Sequence, residues 1–185
     1  MNNKILAVFG SPRKKGYSSF MANEVIKKLE EKNCRIDSLH LNKMEIKPCL
    51  ACDFCRRNEG KFCMRKDDMQ SVLPKIADYE AIIFACPVYW FSVNAQSKAF
   101  IDRFYSLHTE KSDILKNKKI GILLSYGDDD PISSGVMNAI YMFRDSFRYT
   151  GSKICGIIHR KERERGPDSQ LTRQIEEMVG EIMKT

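Results

Sequence analysis

Apolar residues along this chain form short continuous runs that alternate with longer stretches of helical spacing. A run that is apolar throughout, such as residues 5–9 or 120–124, is typical of a strand that helices cover on both faces. We predict strands at residues 4–9, 35–41, 81–86, 119–125 and 153–158.

The stretches between these strands have the spacing of amphipathic helices. Met21, Val25 and Leu29 lie on one stripe with lysines opposite, which predicts a helix over about residues 17–32. A second stripe, which begins after Pro167, predicts the last helix. It consists of Leu171, Ile175, Met178, Val179 and Ile182. Further helices are predicted at about residues 67–77, 95–107 and 134–149.

Strands that alternate with helices in this way predict an α/β fold. Parallel strands need crossover connections about as long as a helix, so a doubly wound parallel sheet of five strands, with helices on both faces, is the economical arrangement. The periodicity does not give the order of the strands. Because the length suits one core, we expect residues 1–185 to form a single domain.

Composition narrows the class of protein. Apolar residues make up 43% and charged residues 30% of the chain, as in ordinary globular proteins. The apolar runs are shorter than the ~20 residues of a membrane helix, and the N-terminal run is too short for a signal peptide, so we expect a cytoplasmic protein without a membrane partner. The run HRKERERG at residues 159–166 is interpreted as a solvated loop.

The net charge of +7 favours anionic partners, among them nucleotide phosphates and nucleic acid. A nucleic-acid module would need a cationic face interleaved with aromatic residues. Here a row of aromatic residues, Tyr89 to Phe91, lies instead in one predicted loop at the edge of the sheet. We therefore expect no nucleic-acid partner.

The segment GSPRKKGYSS, residues 10–19, follows the first strand and opens the first helix. Its backbone amides and the helix N-terminus offer an anion site, to which Ser11, Ser18 and Ser19 add hydroxyl groups and Arg13 adds charge. The segment matches neither GxGxxG nor GxxxxGK[ST], so an ordinary dinucleotide fold or a phosphate-loop NTPase is not indicated. The alternative is a turn that merely caps a helix with serines.

Two further loops are predicted at the same edge of the sheet. Pro87 is expected to break the third strand, and the aromatic residues 89–91 that follow need something flat to cover them, such as an isoalloxazine ring or a neighbouring subunit. After the fourth strand, Ser125, Tyr126 and Gly127 form a polar loop. Three loops therefore surround one predicted site.

The chain has seven cysteines, an odd number that favours reduced thiols or metal ligands over disulfides. Four of them, Cys49, Cys52, Cys55 and Cys63, have the spacing C-x2-C-x2-C-x7-C, which favours a cubane iron–sulfur cluster over zinc. The alternative is a loop of reduced cysteines that shapes the site or a dimer contact. We expect the remaining three cysteines, Cys34, Cys86 and Cys155, to be buried and inert. The three histidines share no spacing typical of metal ligands, so we assign them no metal role.

The pairing of GSPRKKGYSS with PVYWFSVNAQSKAFIDR resembles the family of NADPH-dependent FMN reductases and multimeric flavodoxins, along essentially the whole chain. The resemblance implies a flavodoxin-like fold with strand order 2-1-3-4-5 and FMN at the switch point between strands 1 and 3. Two positions depart from the family's usual residues, since Tyr17 stands where asparagine is frequent and Phe91 where glycine is common. The candidate FMN-binding residues are Ser11, Pro12, Arg13, Lys14, Gly16, Ser18 and Ser19 in the first loop, Pro87, Val88, Tyr89, Trp90 and Phe91 in the second, and Ser125, Tyr126 and Gly127 in the third.

The cysteine segment resembles the iron–sulfur flavoproteins, which carry a 4Fe-4S cluster beside FMN, and also family members whose similar cysteines carry no cluster. The resemblance implies an oxidoreductase that passes electrons from NAD(P)H, or from ferredoxin, through FMN to a small acceptor. The alternative function is an electron carrier without a dedicated substrate. No catalytic side chain is expected, because hydride chemistry belongs to the flavin. A homodimer or homotetramer is also implied.

Overall fold

A computed structural model describes residues 3–58, 60–109, 112–162 and 168–184. The strands are β1 (Lys4–Phe9), β2 (Arg35–His40), β3 (Ala81–Tyr89), β4 (Ser92–Val93), β5 (His108–Thr109), β6 (Ser112–Asp113), β7 (Lys119–Tyr126) and β8 (Lys153–Lys161). The helices are α1 (Tyr17–Glu30), α2 (Phe54–Arg57), α3 (Met69–Val72), α4 (Ala95–Asp102), α5 (Val136–Tyr149) and α6 (Ser169–Met183). Three 3-10 segments lie at Leu41–Lys43, Leu73–Asp78 and Arg103–Leu107.

The five long strands form one parallel sheet in the order β2-β1-β3-β7-β8. Numbered among themselves, they stand in the order 2-1-3-4-5, so the predicted flavodoxin-like class is confirmed. The short strand β4 pairs antiparallel with the end of β3 and brings the sheet to six strands. Strands β5 and β6 form a separate ribbon.

Apolar side chains pack on both faces of this sheet, as expected for strands that are apolar throughout. On one face, Phe84 of β3 lies among the rings of Phe100, Phe104, Phe143 and Phe147 from α4, α5 and the intervening 3-10 segment. On the other face, α1 and α6 bury the stripes that the sequence predicted. Among the described helices, none is both long and apolar enough to cross a lipid bilayer.

Two predicted helices differ from their observed form. The helix predicted at residues 67–77 is a short α3 followed by a 3-10 segment, because Pro74 lacks the amide hydrogen that an α-helical turn requires. The helix predicted at 95–107 likewise becomes 3-10 after Asp102. The predicted start of the last helix is confirmed, since the Asp168 carboxylate accepts a hydrogen bond from the Leu171 amide at 2.6 Å.

The prediction that Pro87 breaks the third strand is wrong, because β3 continues to Tyr89. The carbonyl of Ala85 accepts a hydrogen bond from Gly10 N at 2.8 Å. Backbone groups two residues apart in a strand point to the same side, so the nitrogen of Pro87, like the carbonyl of Ala85, points toward β1. Pairing with β1 has already ended at Ala85. The missing amide hydrogen of Pro87 therefore breaks no ladder bond, and Pro87 stays in register with Ser125 of β7.

Candidate cofactor site

The three predicted loops meet at the carboxyl ends of β1, β3 and β7, around one small pocket. Most of its lining residues are those that the sequence singled out. The pocket is lined by Ser11, Arg13, Gly16, Tyr17, Pro87, Val88, Tyr89, Ser125, Tyr126, Gly127 and Glu162. The remaining candidates, Pro12, Lys14, Ser18, Ser19, Trp90 and Phe91, do not line it.

The first loop is held in shape by its own serines. The Ser11 hydroxyl accepts a hydrogen bond from the Arg13 amide at 3.1 Å, and the Ser19 hydroxyl donates to the Arg13 carbonyl at 3.4 Å. The Ser18 hydroxyl is buried and has no hydrogen-bond partner in the described part of the chain. A buried hydroxyl without a partner is costly, and a bound anion at this point would satisfy it.

The same loop presents the N-terminus of α1, whose first residue follows Gly16. Within the described residues, no side chain caps this terminus. Its first backbone amides have no partner within the helix, and together with the helix dipole they favour an anion.

Glu162 is a pocket residue that the sequence analysis missed. Strand β8 continues in register with β7 as far as the pair Tyr126 and Lys161, and the Glu162 amide donates to the Tyr126 carbonyl at 2.7 Å. The Glu162 carboxylate accepts a hydrogen bond from the Arg13 guanidinium at 2.8 Å. Residues 159–161 are thus strand rather than solvated loop, while residues 163–166 of the same interpretation lie outside the described residues.

The second loop is a tight hairpin. Tyr89 pairs with Ser92, and between them Trp90 and Phe91 have φ values of 47° and 63°, a left-handed pair typical of a two-residue hairpin turn. Phe91 therefore occupies a position that favours glycine. Tyr89 lines the pocket, whereas the Trp90 side chain is 92% exposed at the tip of the turn.

Contacts with α5 hold this hairpin in its unfavourable conformation. The Asn138 side-chain amide donates to the Phe91 carbonyl at 3.1 Å. A Cβ added at Gly135 would lie 2.4 Å from Phe91 Cα, so only glycine allows this approach. A left-handed non-glycine residue costs of order 1 kcal/mol or more, and such strain is concentrated at functional sites. The hairpin therefore has a fixed position beside the pocket.

Gly10 allows the first loop to pack directly on β3 and α4. A Cβ at this position would lie 2.1 Å from Ser97 Oγ and 3.0 Å from Cys86 Cβ, both on elements behind the pocket. Asn94 also donates a hydrogen bond to the Gly10 carbonyl at 2.6 Å. The close approach fixes the loop relative to the sheet.

We expect Gly10→Ala to lower the free energy of unfolding by about 1–3 kcal/mol, because a methyl group must be forced into a filled space. Urea denaturation of the cofactor-free protein measures this effect. Gly127→Ala is the matched control, since a Cβ at Gly127 meets no described atom within 4 Å. Equal midpoints for Gly10→Ala and the wild type would contradict the close packing.

The four clustered cysteines lie in a segment that we call the cysteine loop, residues 48–66, away from the pocket. All four are free thiols; Cys49 is exposed and the other three are half-buried. Burial raises the pKa of Cys55, and the nearby Cys63 and Cys49 raise it further. Among the described residues, no group of three or more His, Cys, Asp or Glu side chains is placed to hold a metal ion.

A single zinc ion therefore does not fit the cysteine loop as it stands. A cubane cluster differs, because each thiolate binds a different iron and the sulfur atoms stand farther apart than around one tetrahedral ion. The donor set, four free thiols on one loop, has the chemistry that such a cluster requires. The role of these cysteines as ligands stays a prediction.

The other cysteines have the predicted environment. Cys34, Cys86 and Cys155 are buried. Burial raises the pKa of Cys86 to about 12, which keeps this thiol protonated next to Ser97. Buried, protonated thiols are inert, as expected for cysteines in a core.

Comparison with known proteins finds relatives of this chain. The sequence profile described as NADPH-dependent FMN reductase matches residues 3–156. An iron–sulfur flavoprotein of Archaeoglobus fulgidus is 33% identical over 140 residues, which are 74% of this chain and 61% of that protein. An iron–sulfur flavoprotein of Methanosarcina thermophila is 36% identical over 124 residues, 67% of this chain and 63% of that protein.

The chain thus matches less than two thirds of the length of these relatives. Among solved structures, the NAD(P)H:quinone oxidoreductase from Methanothermobacter marburgensis superimposes with a TM-score of 0.71 at 18% identity. The superposition covers 97% of this chain and 94% of that one. At this identity the likeness shows a shared fold.

Proposed function

The chain belongs to the family of NADPH-dependent FMN reductases, and on that premise we propose that it binds FMN and passes electrons from NAD(P)H to a small acceptor. The observation that carries this proposal is the convergence of the three loops on one pocket at the carboxyl edge of the sheet. This is the switch point between β1 and β3, where doubly wound sheets bind their ligands.

The first loop supplies the groups that an FMN phosphate requires. The first loop and the helix turn behind it carry the unpartnered Ser18 hydroxyl, the first amides of α1 and the exposed Arg13 guanidinium. Ser11 and Ser19 are engaged with the Arg13 backbone, so their part is to hold the loop. The loop is therefore preorganised to bind a dianion.

The second and third loops bind and orient the ring. Pro87, Val88 and Tyr89 form one wall of the pocket, and Ser125, Tyr126 and Gly127 form another. When bound, FMN supplies the hydride and electron-transfer chemistry. The protein contributes position, exclusion of water and backbone hydrogen bonds, and no acid or base of the chain is required.

Anaerobic reduction of the FMN-loaded protein tests this function. We expect NADPH or NADH to reduce the bound flavin and so bleach its absorption. We also expect a quinone to reoxidise the reduced protein and restore the absorption. A holoprotein that neither nucleotide reduces would contradict the assignment as a reductase and would leave the carrier function, with ferredoxin as donor.

We expect Glu162→Gln to tighten FMN binding. The Glu162 carboxylate now pairs with Arg13, at a largely exposed site where such a pair contributes about 0.2–1 kcal/mol. Its neutralisation frees Arg13 for the phosphate, so the Kd for FMN should fall about twofold to fivefold. Fluorescence titration measures this. An equal change for riboflavin, which lacks the phosphate, would show that Glu162 acts elsewhere.

The cysteine loop favours a second candidate function. In this function the chain is an iron–sulfur flavoprotein that carries electrons between FMN and a one-electron partner such as ferredoxin. Cys49, Cys52, Cys55 and Cys63 would hold the cluster. Four free thiols on one loop support this candidate.

We further propose that the protein assembles as a homodimer or homotetramer through the edge of the sheet near the pocket. The exposed aromatic side chains of the hairpin support this, since Trp90 is 92% and Phe91 52% exposed. Large exposed apolar groups beside a pocket are typical of interaction surfaces.

A further inference from the structure

The two ends of the cysteine loop are fastened to each other and to one arginine. The Lys47 amide donates to the Asp67 carboxylate at 3.0 Å, and the Glu45 amide donates to Asp68 at 2.8 Å. Arg103, which begins the 3-10 segment after α4, donates to the Lys47 carbonyl at 2.9 Å and to both carboxylate oxygens of Asp67. Arg103 thus contacts the chain just before and just after the loop.

The pair of Arg103 and Asp67 is fully buried, with both side chains at 0% exposure. Burial opposes the charge of Arg103, but the hydrogen bond with Asp67 favours it, and the pKa of Arg103 is raised overall. For Asp67, burial is likewise outweighed by the hydrogen bonds from Arg103 and the Lys47 amide, which lower its pKa. Both groups are therefore charged, and the pair acts as a fixed point in the core.

We propose that Arg103 is a positioning residue for the cysteine loop: through Asp67 and Lys47 it closes the neck of the loop and fixes the separation of its two ends. The closure stands on the contacts above and does not depend on the proposed cluster. No proton or electron passes through Arg103.

Limited trypsin digestion of the iron-free, FMN-loaded protein tests the closure. The loop offers cleavage sites at Arg56, Arg57, Lys61, Arg65 and Lys66. We expect the double variant Arg103→Met/Asp67→Asn, which leaves no unpaired buried charge, to be cut in the loop at least about tenfold faster than the wild type. Lys98→Met is the matched control, because Lys98 of α4 forms an exposed ion pair with Asp102.

Cleavage of the loop at the wild-type rate in the double variant would overturn the closure. A faster rate of cleavage at all sites of the chain, together with loss of FMN, would also overturn it, because the pair of Arg103 and Asp67 would then stabilise the whole core and not the loop in particular. Faster cleavage confined to the loop, with FMN content and the Lys98→Met protein unchanged, is the expected result.

The digestion uses iron-free protein, so its result decides whether Arg103 closes the neck independently of the cluster. A wild-type protein that takes up no iron would refute the proposed cluster alone.

Discussion

The Cys52→Ala protein is expected to lose its iron and to keep its FMN. Each of the four thiolates binds a different iron of a cubane, so the loss of one ligand destabilises the whole cluster. The proposed FMN contacts come from the loops at Ser11, Pro87 and Ser125, which line a pocket that contains none of the four cysteines. The flavin should therefore remain bound and remain reducible by NAD(P)H.

The rate of electron exchange with a one-electron partner should fall much further in Cys52→Ala than the rate of flavin reduction by NAD(P)H, because a hydride donor needs only the flavin. Iron content, flavin content and the rates with both electron donors measure the two effects. Cys155→Ala is the matched control, since Cys155 is buried on β8, outside the cysteine loop. Full iron in Cys52→Ala would refute the ligand assignment. Equal loss of both activities with FMN retained would refute the division between cluster and flavin.

The Arg13→Ala/Ser18→Ala protein is expected to bind FMN about tenfold to a hundredfold more weakly, with little change for riboflavin. A hydrogen bond to a charged group contributes about 1.5–3 kcal/mol, and the buried Ser18 hydroxyl has no other described partner. The exposed Arg13 adds a smaller amount, since water screens its charge and Glu162 competes for it.

Parallel titrations with FMN and riboflavin measure this phosphate contribution. Ser71→Ala is a control for the loss of a serine hydroxyl, because Ser71 lies on α3 and its hydroxyl donates to the Asp68 carbonyl far from the first loop. Equal losses for FMN and riboflavin in the double variant would show that the first loop does not hold the phosphate.

The sequence was sufficient to predict those strands and helices whose apolar pattern has only one interpretation. Strand β1 and the stripe of α6 were predicted closely, since both bury a continuous apolar face. The strand order came from the family resemblance, because periodicity does not reveal which strands are neighbours. The convergence of the three loops was predicted without that order, since loops that follow parallel strands lie at the same edge of the sheet.

The failures have physical causes that lie in tertiary contacts. Pro87 stays in β3 because the neighbouring strand has already ended, which no local pattern indicates. Glu162 was missed because a charged run resembles a solvated loop, whereas pairing with β7 extends β8 to Lys161. Trp90 stays a predicted FMN contact, but no local pattern indicated the left-handed turn that exposes it at the tip of the hairpin. The buried partners Arg103 and Asp67 are charged residues far apart in the chain, so only the folded structure joins them.

The visible spectrum of protein purified without oxygen, taken with chemical analysis of flavin and iron, decides whether this protein holds both proposed cofactors. We expect flavin absorption bands from about one FMN per chain, released intact on denaturation, together with broad iron–sulfur absorption and about four irons. Flavin bands without iron would remove the cluster and leave the FMN site. A protein that shows no flavin bands, even after incubation with excess FMN, would refute FMN binding and with it the proposed function.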